Sequence, residues 1–189
     1  MTDWLITPHD PSDIEAVVAL VNSAYRGQSA KAGWTDESDY IDGQRTSLAD
    51  LAADLAADPA PCLLVARRQA GGDILACVMI EQVAGADGGK AGYIGMLTVR
   101  PDLQAEGLGR VVLEAAERRA RADGAERARM TVVSIRDTLI AWYLRRGYHL
   151  TGETQPFPYD DERFGLPRVQ GLQFVVLEKA LTDHKDHSA

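Results

Sequence analysis

Hydrophobic and polar positions divide the chain into segments of two kinds. In the first kind apolar residues recur at helical spacing. Ile14, Val17, Val18, Val21 and Tyr25 do so over 13–25, behind Ser12-Asp13-Ile14-Glu15, which reads as a capping box. Leu48, Leu51 and Leu55 do so behind Ser47, a second N-cap signal, and Pro59 stops that helix. After Gly107, Leu108, Val111, Val112, Ala115 and Ala116 mark the buried face of a longer helix. The pairs Glu114/Arg118 and Glu117/Arg121 lie on its other face, and Gly124 closes it. A short fourth helix is predicted over 137–147, ending at Gly147.

The second kind consists of apolar runs bounded by turn residues, which read as strands: 4–6, 62–68, 74–83, 93–100, 127–135, 148–154 and 172–180. The resulting order, β-α-α-β-β-β-α-β-α-β-β, predicts one mixed α/β domain over 1–181. Its central sheet begins antiparallel and becomes partly parallel. Residues 182–189 read as a flexible tail. Two long polar segments, 27–45 and 155–171, carry no sustained period, and loops of that length in compact domains are often functional.

Composition narrows the field. The 189 residues carry a net charge of −8, which argues against nucleic acid as a partner. No apolar run approaches the roughly 18 residues of a membrane span, and the first ten residues lack a signal-peptide pattern. Cys62 and Cys77 both sit in apolar segments, as buried thiols rather than a disulfide. A cytoplasmic location is expected. His9, His149, His184 and His187 show no ligand spacing, so no metal is expected.

The chemistry enters at "LTVRPDLQAEGLGR", residues 97–110. An apolar strand ends in Val-Arg-Pro, and Gln104, Gly107 and Gly109 lead into a helix. Glycines at such a junction let a ligand approach the backbone and leave the first amides of the helix free. Those amides, the helix dipole and Arg110 favour an anion, typically a phosphate. The Lys-Ser/Thr of a Walker loop and the third glycine of a dinucleotide fingerprint are missing. Taken alone, the pattern is equally consistent with a plain turn.

This block resembles the acyl-CoA-binding motif of the GNAT acetyltransferase superfamily, Gln/Arg-x-x-Gly-x-Gly/Ala after a Val-x-Pro strand end. "AWYLRRGY" is similar to the later Tyr-x-x-x-Gly-Phe/Tyr signature, through Tyr143, Gly147 and Tyr148. The resemblance spans roughly residues 3–180 and implies the GNAT fold: an α/β domain with a mixed sheet of about seven strands and about four helices. It implies an acetyl-CoA-dependent N-acetyltransferase. The cofactor pyrophosphate would lie on Ala105, Glu106, Gly107, Leu108, Gly109 and Arg110, with Gln104, and the pantetheine arm along Leu97, Thr98 and Val99. Tyr143 matches the family's general acid, which protonates the leaving thiolate. Where the family usually has Asn this chain has Arg136, which is kept as a cofactor contact; the alternative is that Ser134 or a backbone group takes the place of the Asn.

The base is read as Glu81, with an exposed strand-end carboxylate as the plain alternative. Trp34, Asp39, Tyr40 and Arg45 in the first long loop, and Tyr159 and Arg163 in the last, are read as the acceptor wall. Asp36, Glu37 and Asp42 are further candidates to hold a cationic amine. Arg45 and Arg163 are candidates for an acceptor carboxylate. The expected partner is a small-molecule amine, and the resemblance allows a homodimer. Acetylation of a protein N-terminus or lysine, and a non-catalytic acyl-CoA-binding domain, are the competing readings.

Overall fold

The apolar runs assemble into a single sheet with helices on both faces. The computed structural model of the chain describes residues 4–26, 30, 33, 36–85, 88–161 and 164–181. In chain order the elements are β1 (Leu5–Pro8), α1 (Ile14–Tyr25), β2 (Ile41–Asp42), α2 (Leu48–Leu55), β3 (Cys62–Arg67), β4 (Ala76–Ala84) and β5 (Lys90–Val99). Then come α3 (Leu108–Ala122), β6 (Arg127–Val133), α4 (Asp137–Leu144), β7 (His149–Pro156), β8 (Leu166–Pro167) and β9 (Gln173–Ala180). The main sheet has seven strands in the order β1-β3-β4-β5-β6-β9-β7, and β2 pairs with β8 in a separate two-stranded ribbon. Among the described residues only β5 and β6 run parallel. The tail at 182–189, Trp34, Glu162 and Arg163 lie outside the described residues.

Helices on both faces explain why β3 and β4 read as continuous apolar runs rather than alternating ones. Leu63, Val65, Cys77 and Met79 face α1 and α2, packing on Val17, Val21 and Leu51. Leu64, Ala66, Val78 and Ile80 face the other way, onto Leu108, Val112, Leu113 and Ala116 of α3. Both cysteines are free thiols; Cys77 is buried and Cys62 half-buried.

Local signals mostly hold, with three corrections. Ser47 caps α2, its Oγ accepting from the Asp50 amide at 3.1 Å. The capping box expected at Ser12 lies one step earlier. Asp10 accepts from the Ser12 amide at 2.9 Å, and Asp13 accepts from the Asp10 amide at 2.8 Å, around a 3-10 turn at Pro11–Asp13. Pro11 supplies the fixed φ that starts this turn, and Asp13 turns its other carboxylate oxygen to Arg67. The fourth helix stops at Leu144 rather than at Gly147. Finally, β5 begins at Lys90 rather than at residue 93, because Ala91 and Gly92 pair with both β4 and β6.

Two irregularities of β5 matter for the site. Between Cys77↔Thr98 and Met79↔Gly95 the ladder advances by two residues on β4 and three on β5, a β-bulge. Met96, in the bulge, has φ +51°. On its other side β5 pairs with β6 only at Ala91, Gly92 and Tyr93. Beyond Tyr93 the two strands part, leaving a notch floored by α3 and α4.

The closed end of the notch depends on a near contact between β5 and α3. A Cβ on Gly92 would lie 2.5 Å from Cβ of Ala120. Gly92→Ala is therefore expected to lower stability by about 1–3 kcal/mol through overpacking, read from the urea midpoint. A variant as stable as the wild type would mean that α3 is not seated this tightly.

Candidate functional site

The strand-to-helix junction is built as its residue types require. Arg100 and Pro101 end β5, a 3-10 turn covers Pro101–Glu106, and Gly107 turns the chain at φ +80° into α3. A side chain there would be strained, so glycine is the fitting residue. No side chain caps α3. Its first amides, at Leu108 and Gly109, lack intrahelical acceptors by construction and carry the positive end of the helix dipole. Gln104 braces the turn by donating from Nε2 to the Val99 carbonyl at 3.1 Å.

A cavity of about 210 Å³ opens over this turn, lined by Val99, Gln104, Ala105, Gly107, Gly109 and Arg110 together with Trp142 and Arg146 of the α4 region. It adjoins a larger one of about 1130 Å³ that runs through the notch between β5 and β6. Tyr25, Leu97, Leu139 and Tyr143 line both. The two cavities form one path from the turn to the far face of the sheet.

Tyr143 stands where they meet. It is 6% exposed, packed edge-on against Trp142 and Tyr148. Its hydroxyl has no hydrogen-bond partner among the described residues. Burial, reinforced by the neighbouring Tyr25, raises its pKa well above the usual tyrosine value of 10.0. The hydroxyl thus keeps its proton at neutral pH and presents it to the cleft. Opposite it, the bulge is pinned: Tyr25 donates to the Leu97 carbonyl at 2.8 Å, and Thr98 Oγ1 to the Met96 carbonyl at 3.0 Å.

The far end of the larger cavity is bordered by Asp50 and Asp54 of α2 and Glu81 of β4. Asp54 and Glu81 have no ion-pair partner among the described residues, whereas Glu153 there is paired with Arg129. Burial, then the charge of Asp54, raises the pKa of Glu81. Ile41, Phe157, Pro158 and Phe164 supply an apolar wall, and the β2–β8 ribbon joins the two long loops across it through Ile41↔Pro167. Among the described residues no three His, Cys, Asp or Glu side chains converge to hold a metal.

Several residues assigned from sequence sit elsewhere. Arg136, read as a cofactor contact, lines neither cavity. It is 5% exposed and donates to Glu37 Oε1 at 3.1 Å, while Arg26 holds Glu37 Oε2 at 2.7 Å. The position that carries Asn in the resembling family thus serves here in a buried ion triad between α1, the first loop and α4. Leu108 is wholly core, Glu106 pairs with Arg68 at 3.0 Å, and the Thr98 side chain is sealed with its hydroxyl on the bulge. Asp39 is exposed. Tyr40 bonds the Asp36 carbonyl at 3.3 Å, and Tyr159 accepts from the Leu172 amide at 2.7 Å; none of these three lines the cleft. Arg45 does, with its guanidinium 5.7 Å from the Tyr25 ring centre.

The sequence profile of the acetyltransferase (GNAT) family matches residues 14–148. The chain belongs to this family. Solved GNAT-fold structures superpose over nearly its full length. The ribosomal-protein-S18-alanine N-acetyltransferase of Escherichia coli has a TM-score of 0.66 at 15% identity, covering 99% of both chains. Nourseothricin acetyltransferase gives 0.63 at 19% identity, covering 95% of this chain and 99% of that one. A chain of the NatC complex bound to Gag peptide and CoA gives 0.65 at 13%, with coverage of 95% and 99%. At these identities the likeness establishes the GNAT fold alone. No curated protein matches the sequence. Residues that sequence reasoning passed over, Tyr25, Tyr93, Trp142 and Arg146, line this GNAT cleft as well. Arg146 was legible as a basic residue beside the Tyr-x-x-x-Gly signature; Tyr25 carried only a helical-spacing signal.

The raised pKa of Glu81 makes a signed prediction. The folded protein binds this proton more tightly than the unfolded chain, so stability falls as pH rises through the folded Glu81 range. Glu81→Gln removes that loss. Its melting temperature should exceed the wild-type value at pH 7–8, and the difference should shrink as pH drops toward the carboxylate range. Identical melting profiles from pH 4 to 8 would show that Glu81 is not desolvated.

Proposed function

We propose that this GNAT protein is an N-acetyltransferase that moves the acetyl group of acetyl-CoA directly onto a primary amine of a small molecule. The observation that carries this reading is Tyr143. Its buried hydroxyl is unpartnered among the described residues and lies at the junction between an anion-binding turn and an acid-bordered cavity.

The donor set fits acyl-CoA. Free amides at Leu108 and Gly109, the dipole of α3 and the guanidinium of Arg110 suit a pyrophosphate. The backbone of β5 beyond Tyr93, unpaired with β6, suits an extended amide-bearing arm as a strand-like partner. When bound, acetyl-CoA supplies a thioester whose acetyl carbon accepts the amine and whose sulfur leaves as a thiolate.

The protein's part is positioning and proton handling. Asp54 and Glu81 attract an ammonium acceptor and favour its approach along the cavity. Glu81, its pKa raised by burial and by the charge of Asp54, takes up the proton that frees the amine lone pair. Tyr143 offers its O–H at the notch, where the thiolate charge develops. A tyrosine with a pKa above that of a thiol stabilises the thiolate by hydrogen bonding and yields its proton only as charge builds on sulfur. Apolar walls at Leu97, Ile94 and Val132 keep water from the thioester. The β2–β8 ribbon across the acceptor end favours a small acceptor over an extended peptide, which needs an open groove.

Two variants test this. Tyr143→Phe should bind CoA as the wild type does while turnover falls by about 100-fold or more, measured as free thiol released with an amine panel. Unchanged turnover would remove Tyr143 from the chemistry. In Gly109→Val the added Cβ sits at ordinary contact distance from Val99 (3.5 Å) and Trp142 (3.6 Å), and the methyls beyond it crowd the small cavity that Gly109 lines. That variant should fold, and should lose at least about ten-fold in CoA affinity by calorimetry. Binding at wild-type affinity would mean that the turn is not the phosphate site.

A further inference from the structure

One guanidinium beside the turn is fixed on two sides and open on a third. Arg146 follows α4, and its Cζ lies 3.5 Å from the centre of the Trp142 ring. Its Nη1 donates to the Trp142 carbonyl at 2.7 Å. Its Nε is buried and has no hydrogen-bond partner among the described residues. A buried N–H left unmade costs free energy, the more so when it belongs to a charged group. The stacking on Trp142 therefore holds the arginine in a pose whose donors the protein itself does not satisfy.

The surroundings add positive charge. Burial, followed by repulsion from Arg145 and Arg110, lowers the pKa of Arg146. Arg110 lines the same small cavity, and the carboxylate near it, Glu114, stands 3.7 Å away on the exposed side of α3. No carboxylate is paired with Arg146 among the described residues. An anion in the cavity would satisfy the open guanidinium edge and relieve the repulsion together.

We infer that Arg146 is a specificity-determining residue of the cofactor site. Its stacked guanidinium closes on the pyrophosphate of acyl-CoA from the side opposite the Gly107–Gly109 amides. This rests on the acyl-CoA reading above. Trp142 contributes as a positioning residue, holding the planar fork by its ring face and its carbonyl. The pyrophosphate is the chosen group because Arg146 shares its cavity with the turn itself.

The test is calorimetric titration of the wild type, Arg146→Met and Arg146→Lys with CoA, dephospho-CoA and pantetheine at one salt concentration. Circular dichroism melting checks the fold. Arg146→Met should weaken CoA and dephospho-CoA alike, by about ten-fold or more, and leave pantetheine unchanged. Arg146→Lys should recover only part, because an ammonium lacks the planar fork. Unchanged affinity for all three ligands overturns the assignment. A loss confined to CoA overturns it in favour of the 3′-phosphate, and full rescue by lysine overturns the role of the stacked fork. If the wild type binds neither CoA nor dephospho-CoA, the acyl-CoA reading itself fails, independently of the variants.

Discussion

The cleft is the space left where β5, bulged against β4 at Met96, no longer pairs with β6 beyond Tyr93. Up to Tyr93 the strand is locked between β4 and β6. Beyond it the bulge at Met96 bends the strand, and the backbone from Ile94 onward no longer meets β6. A strand buried on both faces would not ordinarily leave such groups unmade. Here the carbonyls are taken up from the protein side, Met96 by Thr98 and Leu97 by Tyr25. A trans peptide points its N–H opposite its C=O, so pinning these carbonyls turns the Leu97 and Thr98 amides away from their anchors. The positive φ at Met96, unfavourable for a side chain, is held by these bonds together.

Charge is distributed along the cleft in the same graded way. At the turn, helix amides, Arg110 and Arg146 supply positive potential. At the other end Asp54 and Glu81 supply negative potential without ion-pair partners among the described residues. Other charges nearby are committed to structure. Glu37 spends both carboxylate oxygens on Arg26 and Arg136, and Arg129 is paired with Glu178 and Glu153. Such pairs are costly to bury and damaging to break on one side only. The Glu37 pairs tie the first long loop to Arg26 after α1 and to Arg136 before α4, beside the larger cavity that Glu37 lines. They add little net field of their own.

The fold was legible because its strands and helices differ in period, and because three glycine-marked boundaries sit where the chain must turn. The strand-to-helix turn was legible for the same reason: its shape is set by the backbone, and backbone demands are written as Gly107 and Gly109. The lining of the larger cavity was not. Which loop residues line a cavity depends on long-range pairing such as Ile41 with Pro167, which no local pattern carries. Thus Arg45 of the first loop reaches the cleft while Asp39 and Tyr40 do not. The bulge left no signal either, since Gly95-Met96-Leu97 continues an apolar strand. Arg136 was assigned to the cofactor arm by carrying over a family position, and its partner Glu37 is too distant in sequence for that pairing to have been read there.

The pKa of Tyr143 bears on how the two ends of the cleft cooperate. A tyrosine near its ordinary value would be a fair match for a thiolate, and would exchange its proton with little regard to what else is bound. Burial raises Tyr143 above that range, so the free site holds the proton firmly. The hydroxyl becomes useful only when negative charge appears beside it in a space closed to water, where Coulomb interactions are stronger than in solvent. Glu81 is shifted in the complementary sense, toward accepting a proton. One group is made reluctant to give and the other readier to take, and they lie on opposite sides of the place where the strands part. In the proposed reaction, proton transfer is driven by the reacting atoms rather than by the free protein, because neither group has a partner among the described residues to which it is already committed.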